Sequence, residues 1–311
     1  MILFFAVPFF NKADFLEATL RSLICQTDKQ WKALVLDDSL DPGEARSAKD
    51  VVERLADPRI GYRKNEKNLG LAGNWNQSFG LSSDAELISI LHADDELLPD
   101  CVSELKRAAV EFPEVAAFFL KTEIIDGAGQ PVFSFPDFYK KFLLPSRVNG
   151  RISLAGESGL NAVLKGNFIF CPTLCFRTSQ LAGIRFDPKY KMVLDLDLIC
   201  RILLRGDSLL GLYSKPLYRY RRHATNATNL MTQNMVRFIE ERDLYQSLSK
   251  KLSELGFAKA AKTAHRMRVI RLNLAFQILK SILQFRWGAA RGFVRFLISG
   301  LEESTKDPKV F

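Results

Sequence analysis

The sequence has little that would mark a secreted, zinc-fingered or membrane-spanning chain. It holds five cysteines in 311 residues: Cys25, Cys101, Cys171, Cys175 and Cys200. Their number is odd and their spacing fits no zinc site, so a reducing cytosol is the simplest setting. The Cys171/Cys175 pair lies in the apolar stretch FIFCPTLCF and reads as core filling. No uncharged apolar run reaches the ~18 residues that a membrane-crossing helix requires. The opening MILFFAVPFF lacks a basic leading segment and a small-residue cleavage site. A polar NKAD follows it, which favours a buried strand over a secretion signal. Internal repeats and low-complexity tracts are absent. With 47% hydrophobic and 25% charged residues, the composition excludes a disordered or collagen-like chain.

Charge is unevenly spread. The net charge is +9, and residues 231–311 hold 15 Lys+Arg against 7 Asp+Glu, so this stretch carries nearly all of the excess. Two units are therefore expected, 1–230 and a basic helical segment, 231–311. Between Lys259 and Arg295 there are nine Lys/Arg and no acid. Leu272, Phe276, Leu279, Leu283 and Trp287 follow at helical spacing, with Phe293, Phe296 and Leu297 beyond. A basic amphipathic helix with Trp and Phe suits an anionic membrane surface, here through 259–297. The alternative is an apolar stripe that caps the rest of the chain. No nucleic-acid motif appears, so no nucleic-acid partner is expected.

The first part alternates short apolar runs with helical periodicity. Strands are expected at 2–7, 32–36, 60–64, 87–91 and 115–125, and helices at 13–26, 43–56, 71–81 and 99–111. Residues 136–152 read as a loop. A helix over 153–165, strands around 168–176, a helix from about Asp195, and strands at 209–213 and 217–221 follow. Strands alternating with helices predict an α/β fold with a mostly parallel, doubly wound sheet and a C-terminal helical extension.

In such sheets ligands bind beyond the carboxyl ends of the strands. Two of those ends carry adjacent acids, Asp37-Asp38 and Asp94-Asp95. Clustered carboxylates repel unless a cation or hydrogen-bond donors compensate them, and a divalent metal with a phosphorylated ligand is the simplest compensation. Asp is also common wherever strands end, as a turn residue. The segment NEKNLGLAGN between the pairs can offer backbone N–H groups to phosphate at a helix start. It matches neither the Rossmann nor the P-loop fingerprint.

VPFFN, LDDS, NLGLAGNWN and LHADDELLPD, in this order and spacing, resemble glycosyltransferase family 2. GNFIFCPTLCFR, GIRFDPKY, LDLDLICRILLRG and YRYRRHATNATN extend the resemblance to about residue 230. It implies a GT-A fold and inverting transfer of a sugar from a nucleoside-diphosphate donor, UDP-linked by default, with Mn2+ or Mg2+. Pro8 and Phe9 would line the base pocket through their backbone, and Asp38 would hydrogen-bond the pyrimidine. Asn68, Gly70 and Asn74 would lie along the nucleotide and its sugar. Asp94 would bind the metal with Asp95 beside it, and His223 would reach it. Arg219 and Arg221 would face the diphosphate. Asp195 stands where the family has its general base, with Asp197 as a rival.

The sequence departs from the pattern at His92, which replaces an acid of the metal motif, and at Leu194, which replaces an acid before the base. A neutral imidazole can still ligate a metal. These departures keep a second expectation open, an inactive relative that binds nucleotide-sugar or serves as a membrane scaffold. An active enzyme of this kind would extend a glycan or lipid-linked acceptor for surface polysaccharide, in the cytoplasm, peripheral on the inner face of the membrane.

Overall fold

The computed structural model describes residues 1–81, 84–223 and 231–301. The chain begins with β1 (Leu3–Phe9), α1 (Ala13–Ile24), β2 (Trp31–Asp37), α2 (Pro42–Leu55), β3 (Ile60–Lys64), α3 (Gly70–Gly80) and β4 (Leu87–Ile90). These elements follow from local sequence. In α1, Leu16, Leu20 and Leu23 recur at helical spacing and are buried. Asp41 caps α2 by accepting from the Gly43 N–H at 2.7 Å, with Pro42 in the first turn. β4 is buried on both faces and accordingly reads as a continuous apolar run.

The second half holds β5 (Glu96–Leu97), α4 (Cys101–Glu111), β6 (Ala117–Leu120), β7 (Thr122–Ile125), α5 (Phe135–Leu143), β8 (Arg151–Leu154), α6 (Gly156–Leu164) and β9 (Cys175–Arg177). α7 (Leu194–Leu204), β10 (Leu209–Leu212) and β11 (Tyr218–Arg221) come next. Four helices close the described chain: α8 (Val236–Glu254), α9 (Ala258–Arg266), α10 (Arg268–Leu283) and α11 (Trp287–Arg295).

An eight-stranded sheet has the order β3-β2-β1-β4-β9-β6-β10-β8, and a small one has β5-β11-β7. β1 pairs in parallel with β2 on one side and β4 on the other. The chain thus leaves β1 in one direction and returns on the opposite side. The crevice at the carboxyl ends of β1 and β4 is the switch point where such sheets place ligands. The sheet is more mixed than expected, because β9 inserts antiparallel between β4 and β6.

Four stretches differ from the sequence reading. Where strands were expected around 168–176, Cys171–Thr173 forms a 3-10 turn and only β9, Cys175–Arg177, is strand. The single strand expected over 115–125 divides at Lys121, β6 entering the large sheet and β7 the small one. The expected loop over 136–152 contains α5, whose proline sits in the first turn, where it costs no hydrogen bond. Residues 151–154 form β8, antiparallel to β10, so the following helix starts later than expected.

The core lies in two layers, one on each face of the sheet. Leu3, Phe5 and Val7 of β1 face one layer with α1, α2 and α4. Ile88 and Ile90 of β4 face the other with α6 and α7. α8 and α9 belong to that second layer through Phe238, Tyr245, Leu248, Ala260 and Ala264. The boundary near residue 230 therefore separates charge and does not interrupt the core.

Candidate active site

β4 ends beside β1, and the next residues turn sharply before β5 pairs with β11. This turn carries His92, Asp94 and Asp95. The small sheet fixes Asp95, whose carboxylate accepts from the Tyr218 hydroxyl at 2.9 Å and the Arg221 N–H at 2.8 Å. Burial, followed by the neighbouring Asp94 charge, holds the Asp95 pKa well above the usual carboxylate range, against those two hydrogen bonds. Asp94 goes the other way. Burial alone would raise it, but the His223 hydrogen bond and the nearby imidazoles outweigh that and lower it. His223 Nε2 lies 2.8 Å from Asp94 Oδ2, and its Nδ1 lies 3.2 Å from Lys12 Nζ.

Burial lowers the His92 pKa, opposed by Asp94. The ring is therefore neutral at physiological pH, the form that can ligate a metal. Donor atoms of His92, Asp94 and Asp95 all lie within 4.8 Å of one another. His92 Nε2 is buried without a hydrogen-bond partner. A divalent cation fits this donor set, since it would relieve the Asp94–Asp95 repulsion and accept the imidazole lone pair. The third residue of the group is Asp95, whereas the sequence pointed to His223, which hydrogen-bonds Asp94 instead.

Asp195 opens α7. Asn167 Nδ2 donates to its Oδ2 at 2.9 Å. Burial raises its pKa, against the Leu196 N–H, the Lys140 charge and Asn167. Asp197 points elsewhere and pairs with Arg201 at 2.8 Å, one helical turn on. Burial raises the Cys171 thiol pKa, and the charges of Asp195 and Asp95 push it further. The Tyr220 phenol is also raised, chiefly by burial and against Arg222, with Asp95, Asp94 and Asp137 adding to the shift.

The expected donor-binding residues fall into two groups. At the β2 end, Asp38 accepts four hydrogen bonds: Asn65 Nδ2 (2.8 Å) and the Leu69 N–H (2.8 Å) on one oxygen, Asn68 Nδ2 (3.0 Å) and the Gly70 N–H (2.9 Å) on the other. That saturates a carboxylate. Asn74 is buried and uses its amide on the Leu36 carbonyl and Asn65. Gly70 supplies the left-handed backbone, φ +68°, that lets its N–H reach Asp38. These residues, expected along the donor nucleotide and its sugar, use the Asp38 carboxylate and their own amides to brace the start of α3. Pro8 and Phe9 end β1 beside them, with the Phe9 carbonyl taken by the Asp38 N–H.

The β11 arginines, expected at the diphosphate, are engaged inside the protein. Arg221 donates to the carbonyls of Asp94, Asp126 and Gly127 and pairs with Glu96. Arg219 pairs with Glu123 at 2.9 Å. Arg222, one residue on, turns to the other face, pairs with Asp137 of α5 and lies over Tyr220.

Sequence reasoning missed four participants. Asn167 holds Asp195. Lys140 sits 3.7 Å above the Phe170 ring, with its pKa lowered to about 8 by burial, against the charge of Asp137. Asp137 anchors α5 through Arg222. Glu240 of α8 accepts the N–H groups of Lys191, Met192 and Val193, fixing the entry to α7. None of the four carried a signal of its own; their partner Arg222 did, because the two-residue strand period puts it opposite Arg221. The ATNATN run after His223 lies outside the described residues.

Residues 5–153 match the family model of glycosyl transferase family 2. An uncharacterized protein of Mycobacterium tuberculosis is 28% identical over 204 residues, 64% of this chain and 61% of its own length. The GalNAc(5)-diNAcBac-PP-undecaprenol beta-1,3-glucosyltransferase of Campylobacter jejuni is 34% identical over 108 residues, 34% of this chain and 33% of its own. The alignments thus span less than two thirds of these curated relatives. S. aureus TarS 1–349 in complex with UDP superposes with a TM-score of 0.55 at 16% identity, over 96% of this chain and 90% of that TarS fragment. The mannosyltransferase PcManGT from Pyrobaculum calidifontis, in complex with GDP-Man and Mn2+, gives 0.58 at 13% identity, over 97% and 88%. The fold is that of the GT-A glycosyltransferases. The family match covers residues 5–153, just under half of the chain.

Proposed function

We propose that the protein is an inverting, metal-dependent glycosyltransferase that moves a sugar from a nucleoside diphosphate, UDP by first choice, to an acceptor hydroxyl. The observation that carries this reading is the group at the end of β4, where donor atoms of His92, Asp94 and Asp95 lie within 4.8 Å of one another and His223 stands 2.8 Å from Asp94. A cation held by His92, Asp94 and Asp95, with His223 beside them, would supply charge stabilisation to the leaving diphosphate. Asp195 is the general base. It takes the acceptor proton as the new bond to the anomeric carbon forms and the bond to the diphosphate breaks, so one displacement inverts the centre. Asn167 holds that carboxylate in place. Pro8, Phe9, Asn68 and Gly70 shape the nucleotide end through backbone, with Asp38 and Asn74 bracing them from behind. Arg219 and Arg221 stiffen the small sheet.

UDP is supported by the TarS complex, and a lipid-linked glycan acceptor by the Campylobacter relative, whose name carries an undecaprenol-linked glycan. The test is release of nucleoside diphosphate from UDP- and GDP-sugars with and without Mn2+ or Mg2+. Metal-dependent release with one donor is expected. Binding of nucleotide-sugar with no turnover under any metal would favour the inactive relative, which His92 keeps open.

A further inference from the structure

We propose that α10, α11 and α5 form one docking face for an anionic lipid surface, and that this face borders the entrance to the Asp195 site. Lipid docking stands on its own observations; its meaning for the acceptor rests on the glycosyltransferase reading above.

α10 is apolar on two sides. Ile270 and Leu274 are buried in the core, while Leu272, Phe276, Leu279 and Leu283, at spacings of four, three and four, line another side and are exposed, Leu283 by 70%. An all-round apolar helix normally has all its sides covered. The turn between α10 and α11 sharpens the point. Phe285 sits there in the left-handed region, φ +56°, 79% exposed, and Trp287 follows at 56%. A bulky residue in that conformation costs about 1–2 kcal/mol, and an aromatic tip left in water gains nothing to offset it.

The surrounding charge has one sign. Arg268, Arg271, Lys280, Arg286 and Arg291 are exposed, and no described carboxylate lies within ion-pair distance of them. Acidic lipid headgroups complement such a face while the acyl region takes the apolar side chains. A second copy of the same face would bring repulsion, and a nucleic acid would leave the apolar residues in water.

α5 extends the face toward the site. Phe133, Phe138 and Phe142 are exposed and stack in sequence, with ring centroids 5.5 and 5.3 Å apart. α5 and α10 meet at Gly166, where a β-carbon would lie 2.6 Å from Leu143 and 3.3 Å from Val269. The next residue is Asn167, which holds Asp195. A lipid-borne acceptor lying along α5 would therefore reach the base from the membrane side.

The experiment is co-sedimentation of the full chain with phosphatidylcholine vesicles, with and without phosphatidylglycerol. Binding only to the anionic vesicles, released by salt, is expected. Leu279→Glu/Leu283→Glu and, separately, Phe138→Ser/Phe142→Ser should each weaken it about ten-fold or more, while Val110→Glu, on exposed α4, should not. Circular dichroism and the UDP-induced shift in melting temperature should be unchanged in all three. Absence of anionic binding, equal binding to neutral vesicles, or a self-association that the α10 pair abolishes would overturn the lipid surface. Loss confined to the α10 pair would overturn the role of α5. Since vesicle binding needs no turnover, its failure is separable from failure to find a sugar donor.

Discussion

The two acid pairs at the strand ends look equivalent in sequence, and the molecule uses them differently. Asp37 and Asp38 are surrounded by donors. Asp37 accepts from Tyr62, Lys64 and the Ser39 N–H, and Asp38 takes four hydrogen bonds from the α3 entry. Asp94 and Asp95 face each other with fewer donors, beside an imidazole nitrogen that bonds nothing. A saturated pair builds the fold; an undersatisfied pair can take a cation. The number of donors within reach, and not the residue type, separates the two.

The contrast can be tested from its largest consequence downward. If Asp195 is the base that works beside the undersatisfied pair, Asp195→Asn should lower turnover by roughly 10²- to 10⁴-fold, with the UDP-induced melting shift retained. Full turnover in this variant would remove Asp195 from the mechanism. Asp94→Ala should cut metal-stimulated turnover by about 100-fold or more, and calorimetric melting should barely move. Asp38→Ala should do the opposite. Stranding four donors and the α3 cap costs about 3 kcal/mol, read by denaturant titration, while whatever activity survives keeps its metal response.

The next effect is on pH. A general base must be ionised, and burial raises the Asp195 pKa. Activity should therefore fall with decreasing pH earlier than an ordinary Asp would dictate, and an acid limb at the usual carboxylate value would argue for a solvated base. Lys140→Met carries the smallest expected change. Removing a cation that favours ionised Asp195 should move the acid limb to higher pH, with donor KM unaltered.

Much of the frame was legible. β1, β2, β3 and β4 are short apolar runs between helical patterns, so a doubly wound half-sheet follows from periodicity alone. The choice between Asp195 and Asp197 was half legible, since Arg201 stands one turn after Asp197 and can claim it. α5 was not legible, because nine residues containing a proline give too little period to distinguish helix from loop. Its docking rests on distant partners, Arg222 for Asp137, Phe170 for Lys140 and Gly166 for Leu143. β5 and β7 were hard for the same reason, being two and four residues long and meaningful only once paired, whereas β11 was expected at 217–221 and forms at Tyr218–Arg221.

Spacing also could not say which face of β11 looks at the site. Period two separates Arg221 from Arg222, but the pairing with β5 and β7 decides that Arg221 props the Asp94 carbonyl while Arg222 holds α5. The tail divided likewise. Its basic charge and apolar content are plain in the chain, yet only packing buries Ile270, Leu274 and Phe293 and leaves Leu272, Leu279 and Leu283 bare.

By itself the amino-acid order determined the layered α/β frame, the acids at its strand ends and a one-sign helical tail, because these depend on near neighbours and their repeat. Tertiary structure alone decided which acids remain short of donors, which arginines turn inward and which tail residues stay exposed. Each of those outcomes depends on groups that approach from dozens of residues away.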